Sequence, residues 1–219
     1  MAIRPLDRAT WMLENSLVVF AAFVLPAFQR WMPFSRLSLT LIFVFLCFHT
    51  VGGHYTYSLV PYDDWCRSWL GFSLNESLGF QRNHYDRLVH FLYGLLLAYP
   101  IRELFFRIAD AHGFWSYFLP LDLTMSTSML FELIEWWAAV VFGGDVGQAY
   151  LGTQGDEWDA HKDMLLASAG ALITMLATLV VNLKTQNDFA REWSQSLRVK
   201  HWMPLGEDEL ARRNNHLHQ

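Results

Sequence analysis

The chain has 219 residues, of which 53% are hydrophobic and 16% aromatic, while only 17% are charged. A net charge of −5 excludes a broadly basic nucleic-acid-binding protein. Two cysteines, Cys47 and Cys66, are too few for a disulfide scaffold or a four-cysteine zinc module, and the density of large apolar residues excludes intrinsic disorder. These limits leave a membrane protein or an unusually apolar soluble helical domain.

Five stretches approach the roughly 20 mostly apolar residues that a helix needs to cross a bilayer. In chain order they cover residues 11–28, 37–51, 85–106, 121–142 and 164–183. The first resembles the apolar part of a signal peptide, but Glu14 and Asn15 stand where such a peptide carries positive charges. We therefore expect it to be a retained helix. The sequence predicts an all-α, polytopic membrane protein built as a bundle of about five transmembrane helices.

The positions of lysine and arginine predict the orientation of this bundle. Six of them follow the fifth stretch, whereas the loop over residues 143–163 carries only Lys162. We expect a cytoplasmic C-terminus and an outward-facing 143–163 loop, although the arginines of the loop between the second and third stretches fit this orientation less well. The sequence further divides into a transmembrane domain, residues 1–187, and a polar cytoplasmic tail, residues 188–219.

Polar and ionisable side chains of all five stretches fall at the outer end of the predicted bundle. Asp86 and His90 are four residues apart and share one helix face, and Glu132 and Glu135, three apart, share another. A charged carboxylate at such depth costs a few kcal/mol or more unless it is paired or protonated. These residues therefore predict a polar pocket beneath the outer surface.

Imidazole and carboxylate ligands suit zinc, iron or manganese, so the pocket predicts a divalent transition metal. The predicted ligands are His49, His54, Asp86, His90, Glu132, Asp159 and Asp163. Glu135 is the predicted general base for a water activated by the metal. The expected reaction is hydrolysis of a membrane lipid or an envelope molecule, with membrane lipids as partners and no nucleic acid. The chain has no HExxH, GxSxG or Walker motif.

Simpler interpretations of the same residues remain open. Asp156 and Asp159 stand near a helix N-terminus, where acids cap backbone amides, and Asp86 with Arg87 has the pattern of an interfacial ion pair. The whole cluster also suits a cation- or proton-coupled transporter, or a structural protein in which buried ionic groups lock the bundle. The sequence does not decide among these functions, and it does not determine the oligomeric state.

Four long motifs resemble the YjdF-like family of bacterial inner-membrane proteins: HTVGGHYTYSLVP, RNHYDRLVHFLYGLLLAYPIRELFF, FELIEWW and GTQGDEWDAHKDM. The resemblance covers about residues 11–183. It implies a multi-pass protein of the bacterial inner membrane and supplies no activity. A shorter element at residues 155–164 also resembles the acidic signature of VanZ-like membrane proteins.

Overall fold

The computed structural model describes residues 3–143, 153–200 and 206. This part of the chain forms eight α-helices and no strand. In chain order they are α1 (Arg8–Trp31), α2 (Arg36–His54), α3 (Tyr62–Leu70), α4 (Leu74–Leu78), α5 (Tyr85–Ile108), α6 (Trp115–Phe142), α7 (Asp159–Thr185) and α8 (Phe189–Ser196).

The five predicted stretches correspond to α1, α2, α5, α6 and α7, each a few residues longer than its apolar part. Four of them, α1, α2, α5 and α7, are long and apolar enough to cross a membrane. The 28-residue α6 is not one of those four, and it contains Asp122, Glu132 and Glu135. Its outer surface nevertheless exposes Leu133 and Val140, as expected of a helix that faces lipid. The predicted all-α polytopic fold is confirmed.

The bundle has two chemically different ends. Helix α5 lies at its centre, packed against α2, α6 and α7, while α1 packs against α2. Consecutive long helices run in opposite directions, and the backbone N–H of Leu6 donates to the carbonyl of His54. The N-termini of α1, α5 and α7 therefore lie at the same end of the bundle as the C-terminus of α2. We call this the polar end, because the buried acids and imidazoles lie near it.

The contact between α5 and α7 depends on small residues. A Cβ atom added to Gly94 would lie 1.8 Å from the carbonyl oxygen of Ala167, and one added to Gly170 would lie 2.3 Å from that of Phe91. Ala98, Ala167 and Ala171 are fully buried. Small residues let helix backbones approach closely in membranes, so α5 and α7 form a rigid pair that holds their polar ends together.

Helices α3 and α4 form a short hairpin over the polar end. The Tyr62 hydroxyl donates to Asn75 across the hairpin at 2.7 Å and accepts from the backbone N–H of His84 at 3.1 Å. Within the hairpin, the backbone N–H of Asn75 and the Arg67 guanidinium hold the pKa of Asp63 below its usual range. Trp69 is exposed, as expected for a segment at headgroup level.

Helix α8 docks on the opposite end of the bundle. The indole N–H of Trp115 donates to the carbonyl of Ser196 at 2.8 Å, and the Trp193 ring lies against Phe114 and Tyr117. The start of the predicted tail is thus in contact with α6. The division at residue 187 stays a prediction, and most of the tail, residues 201–205 and 207–219, lies outside the described residues.

Candidate functional site

A cavity of about 260 Å³ lies beneath the polar end, among α1, α2, α5, α6 and the loop after α2. Its wall combines ionisable and hydroxyl-bearing groups with large apolar side chains. The first set is His49, Tyr57, Asp86, His90, Tyr93, Thr127, Ser128 and Glu135. The second set is Leu17, Phe45, Val89, Leu130, Phe131 and Ile134. The cavity therefore has the mixed character of a binding pocket.

Three predicted ligands meet beside this cavity. Asp86, His90 and Asp163 each offer one ligand atom, and these atoms all lie within 4.8 Å of one another. The helical spacing of four places Asp86 and His90 on one face of α5, and the close crossing of α7 brings Asp163 to them. His90 Nε2 lies 3.6 Å from Asp86 Oδ1 and 3.4 Å from Glu132 Oε1. Glu132 therefore borders this group from α6.

Two carboxylate oxygens of this cluster lack a hydrogen-bond donor within the described part of the chain. They are Oε1 of Glu132 and Oδ1 of Asp163, both buried. A buried acceptor without a donor costs free energy, and a buried carboxylate costs more if it is charged. A proton on each carboxyl group, or a cation beside it, would remove that cost.

Asp159 and Asp156 have a different environment, because basic side chains surround them. Arg82 donates to Asp159 and to the carbonyl of residue 153, while Arg87 donates to Asp156 at 2.5 Å and to Asp159 at 3.1 Å. Lys162 donates to Asp156 at 2.5 Å. The Lys162 ammonium, the backbone N–H of residue 158 and the Arg87 guanidinium hold the pKa of Asp156 well below its usual range. These two acids therefore belong to an ion-pair network that joins α5 to α7.

This network also bears on the simpler interpretations. Arg87 pairs with Asp156, just before α7, and with Asp159 at its first residue. The neighbouring Asp86 contacts His90 instead. Asp156 accepts from the backbone N–H of Trp158 at 3.1 Å, so it does hold the start of α7. Asp159 acts through its ion pairs.

His49 is buried with both ring nitrogens engaged. Nε2 lies 3.0 Å from the carbonyl oxygen of Glu14, and Nδ1 lies 2.5 Å from the Tyr57 hydroxyl. His54 closes α2, with its ring 4.7 Å from that of Tyr55. Neither histidine belongs to the Asp86–His90–Asp163 group.

Glu135, the predicted general base, lies in the cavity wall and is 8% exposed. It is one turn of α6 from Glu132, and the carboxyl groups of Asp86, Glu14 and Asp163 are close enough to interact with it electrostatically. Among the ion pairs of the described residues, none joins a lysine or arginine to these five acids. The cluster therefore concentrates carboxyl groups, three of which lie close to the His90 imidazole.

Sequence reasoning gave no site role to Tyr57 and counted Arg82 only as a loop charge. Gly52 and Gly53 lie shortly before Tyr57 in the sequence. A glycine pair is a weak sequence signal that another part of the chain packs closely on the helix, and here the Tyr57 ring does so. Nothing in the local sequence links Arg82 with Asp159, 77 positions later. Only the packing of α5 on α7 brings them together.

Comparison with known proteins identifies the family. Residues 1–184 match the sequence model of a family described as a predicted membrane protein, DUF2238. The chain belongs to this family. It is also 40% identical over 171 residues to the inner membrane protein YjdF of Escherichia coli strain K12, a match that covers 78% of each chain. No solved structure matches the chain.

The family match confirms the resemblance carried by the four motifs, and the match to YjdF spans most of the membrane bundle. Together with the four apolar helices, it shows that this chain is an integral membrane protein. The polar cluster at one end of the bundle is therefore a cluster inside a membrane protein, where burial of charge is most costly.

Proposed function

We propose that this DUF2238 protein is a metal-dependent hydrolase of the bacterial inner membrane that acts on a lipid or envelope molecule. The observation that carries the proposal is the Asp86–His90–Asp163 group, whose ligand atoms lie within 4.8 Å of one another beside a cavity. The unpartnered oxygen of Asp163 supports it, because a divalent cation held by the group would satisfy that oxygen.

Three protein ligands of mixed nitrogen and oxygen type are the pattern of catalytic sites, which keep one position for water. A divalent transition metal (zinc, iron or manganese) held there would lower the pKa of that water. Glu132 is the candidate for a further ligand, since it contacts His90. Glu135 lies in the cavity wall and would take a proton from the attacking water.

The cavity wall favours an aliphatic substrate. Leu130, Phe131 and Ile134 of α6 line it, together with apolar side chains of α1, α2 and α5. Because the bundle lies in a membrane, a lipid chain can reach this wall without crossing water. The inner-membrane location rests on the name of the 40% identical relative, and a cytoplasmic C-terminus rests on the lysine and arginine distribution.

The test is the metal content of the protein, purified in detergent without chelators. We expect about one equivalent of a transition metal in the wild type and its loss in His90→Ala. His54→Ala is the matched control, because His54 stands outside the three-residue group, and it should keep the metal. A metal-free wild type would contradict the proposal and favour a cluster that only locks the bundle.

A second candidate is a proton- or cation-coupled transporter, favoured by one observation on α6. Thr124, Ser128, Glu132 and Glu135 are all buried and follow helical spacing along one face, so polar atoms continue from the cluster toward the other end. Cation-dependent uptake into proteoliposomes, lost in Glu132→Gln, would favour this function over hydrolysis.

A further inference from the structure

Tyr57 and His49 form a hydrogen-bonded pair in the cavity wall, apart from the proposed metal group. The carbonyl oxygen of Glu14 can only accept, so His49 Nε2, 3.0 Å away, carries the ring proton. Nδ1 is then the acceptor, and the Tyr57 hydroxyl donates to it at 2.5 Å. The phenol oxygen keeps a lone pair that accepts no hydrogen bond from His49. Because Tyr57 lines the cavity, this lone pair is available to a molecule bound there.

The backbone around Tyr57 is strained in a way that fixes this hydroxyl. Thr56 and Tyr57 both have left-handed φ angles, +56° and +51°, which β-branched and bulky residues rarely adopt. A Cβ atom added to Gly52 would lie 2.5 Å from Cε1 of Tyr57, so the ring rests directly on the backbone of α2. Strained residues of this kind persist where the surrounding structure holds them, often at functional sites.

We propose that Tyr57 is a nucleophile of this protein and that His49 is its base. The arrangement has three parts that nucleophilic catalysis needs: a hydroxyl, a base within hydrogen-bond reach, and a group that orients the base. Burial raises the pKa of the Tyr57 phenol, so the oxygen attacks only as a base takes its proton. Here the orienting group is the backbone carbonyl of Glu14. The inference rests on the proposed hydrolase function and deepens it by naming a covalent step and a substrate class.

The substrate class is a neutral carboxylic ester with an aliphatic chain. Among the described residues that line the cavity there is no lysine or arginine that would compensate the charge of a phosphate or another anion. An ester carbonyl carries no charge. The apolar side chains of the cavity wall then contact the chain attached to it.

The covalent step exchanges one ester for another. The phenol oxygen of Tyr57 attacks the carbonyl carbon while its proton passes to His49 Nδ1. The bond from that carbon to the alcohol oxygen then breaks, and the leaving oxygen takes the proton from His49. Water, deprotonated by Glu135, next attacks the tyrosyl ester and releases a carboxylic acid, and the proton returns to the phenol oxygen. No oxidation or reduction occurs.

The probe is p-nitrophenyl octanoate, added to the full-length protein in detergent, with the site of acylation mapped by peptide mass spectrometry. We expect an octanoyl group on Tyr57 and none in Tyr57→Phe. His49→Asn keeps an acceptor near the position of Nδ1 but removes the base, so labelling should slow by about 10²-fold or more. Tyr93 is the internal control, since its hydroxyl also lines the cavity but pairs with Thr127 at 2.6 Å instead of with a base.

Three results would each overturn the inference. They are labelling of Tyr93 alone, no labelling in a monodisperse wild type, and equal labelling rates in the wild type and His49→Asn. The metal assay separates this result from the proposed hydrolase function. A metal-loaded protein that is never acylated at Tyr57 would retain the hydrolase and remove the nucleophile. Acylation at Tyr57 of a protein that binds no metal would retain the nucleophile and remove the metal site.

Discussion

The Arg87 guanidinium on α5 lies 3.1 Å from Oδ1 of Asp159 at the start of α7. Arg82 donates to the same oxygen, and the side chain of Asp159 is only 4% exposed. One carboxylate thus contacts two largely buried guanidinium groups at the polar end. Arg87 also pairs with Asp156, whereas Asp159 is the one carboxylate paired with Arg82 among the described residues. It joins the start of α7 to α5 one helical turn from Asp163, an acid of the proposed site.

Replacement of Asp159 by alanine should therefore destabilise the protein strongly. Removal of one partner from a buried ion pair costs about 3–5 kcal/mol, and here the Arg82 guanidinium loses its carboxylate partner while Arg87 keeps Asp156. The measurement is the Tm of the detergent-purified variant. Glu157→Ala, an exposed acid two residues earlier, is the control and should leave the Tm unchanged. The metal content of folded Asp159→Ala should equal that of the wild type, since Asp159 lies outside the three-residue group. Loss of the metal from this variant would instead make Asp159 a metal ligand.

Asp156 makes one contribution to stability that depends on pH. Its pKa is lowered in the folded protein, first by Lys162 and also by Arg87, whereas an unfolded aspartate titrates near pH 4. The folded state thus binds the proton less tightly than the unfolded state. This contribution is complete above about pH 4 and is lost as the pH falls through the folded pKa.

Asp156→Asn should accordingly lower the Tm at pH 7, and the difference from the wild type should shrink as the pH falls below about 4. The measurement is a Tm series across this range in detergent. A difference that grows toward acid pH would contradict the assigned sign. High salt should also reduce the difference at pH 7, because the Asp156–Lys162 contact is partly exposed.

Glu135→Gln tests the general base. Glutamine keeps the size of the side chain and cannot take a proton, so turnover should fall by about 10²–10⁴-fold while Tm and metal content stay near those of the wild type. The assay is release of carboxylic acid from an envelope lipid extract. Full activity of Glu135→Gln would remove this role. In the variant, the octanoyl group on Tyr57 should persist longer than in the wild type.

Gly94→Ala tests the contact that holds α5 against α7. The added Cβ would meet the backbone of Ala167, which cannot move aside without shifting the helix. We expect a loss on the order of 3 kcal/mol, comparable with other overpacked contacts, together with loss of metal, because His90 and Asp163 lie on the two helices. The control is Ala177→Val on the exposed part of α7, which should keep both the Tm and the metal.

The apolar stretches of the sequence determined the fold class. Each run long enough to cross a bilayer became a helix, because backbone groups in lipid must be satisfied within the segment itself. The pairs at helical spacing, Asp86 with His90 and Glu132 with Glu135, were likewise readable, since spacing along one helix fixes which residues share a face. The small side chains at positions 167, 168, 170 and 171 are typical of a close helix contact in a membrane, and the structure shows that Gly94 is on the other side of it.

Only the tertiary structure decided which polar residues meet. His49 and Asp159 look like ligands in the sequence, but one has both ring nitrogens in hydrogen bonds and the other compensates two arginines. Tyr57 reaches the cavity through a strained loop. These outcomes depend on partners dozens of positions away, and local spacing carries no information about them. Burial in a membrane penalises polar groups that lack a partner, but the crossing of α5 with α7 determines which partners are within reach.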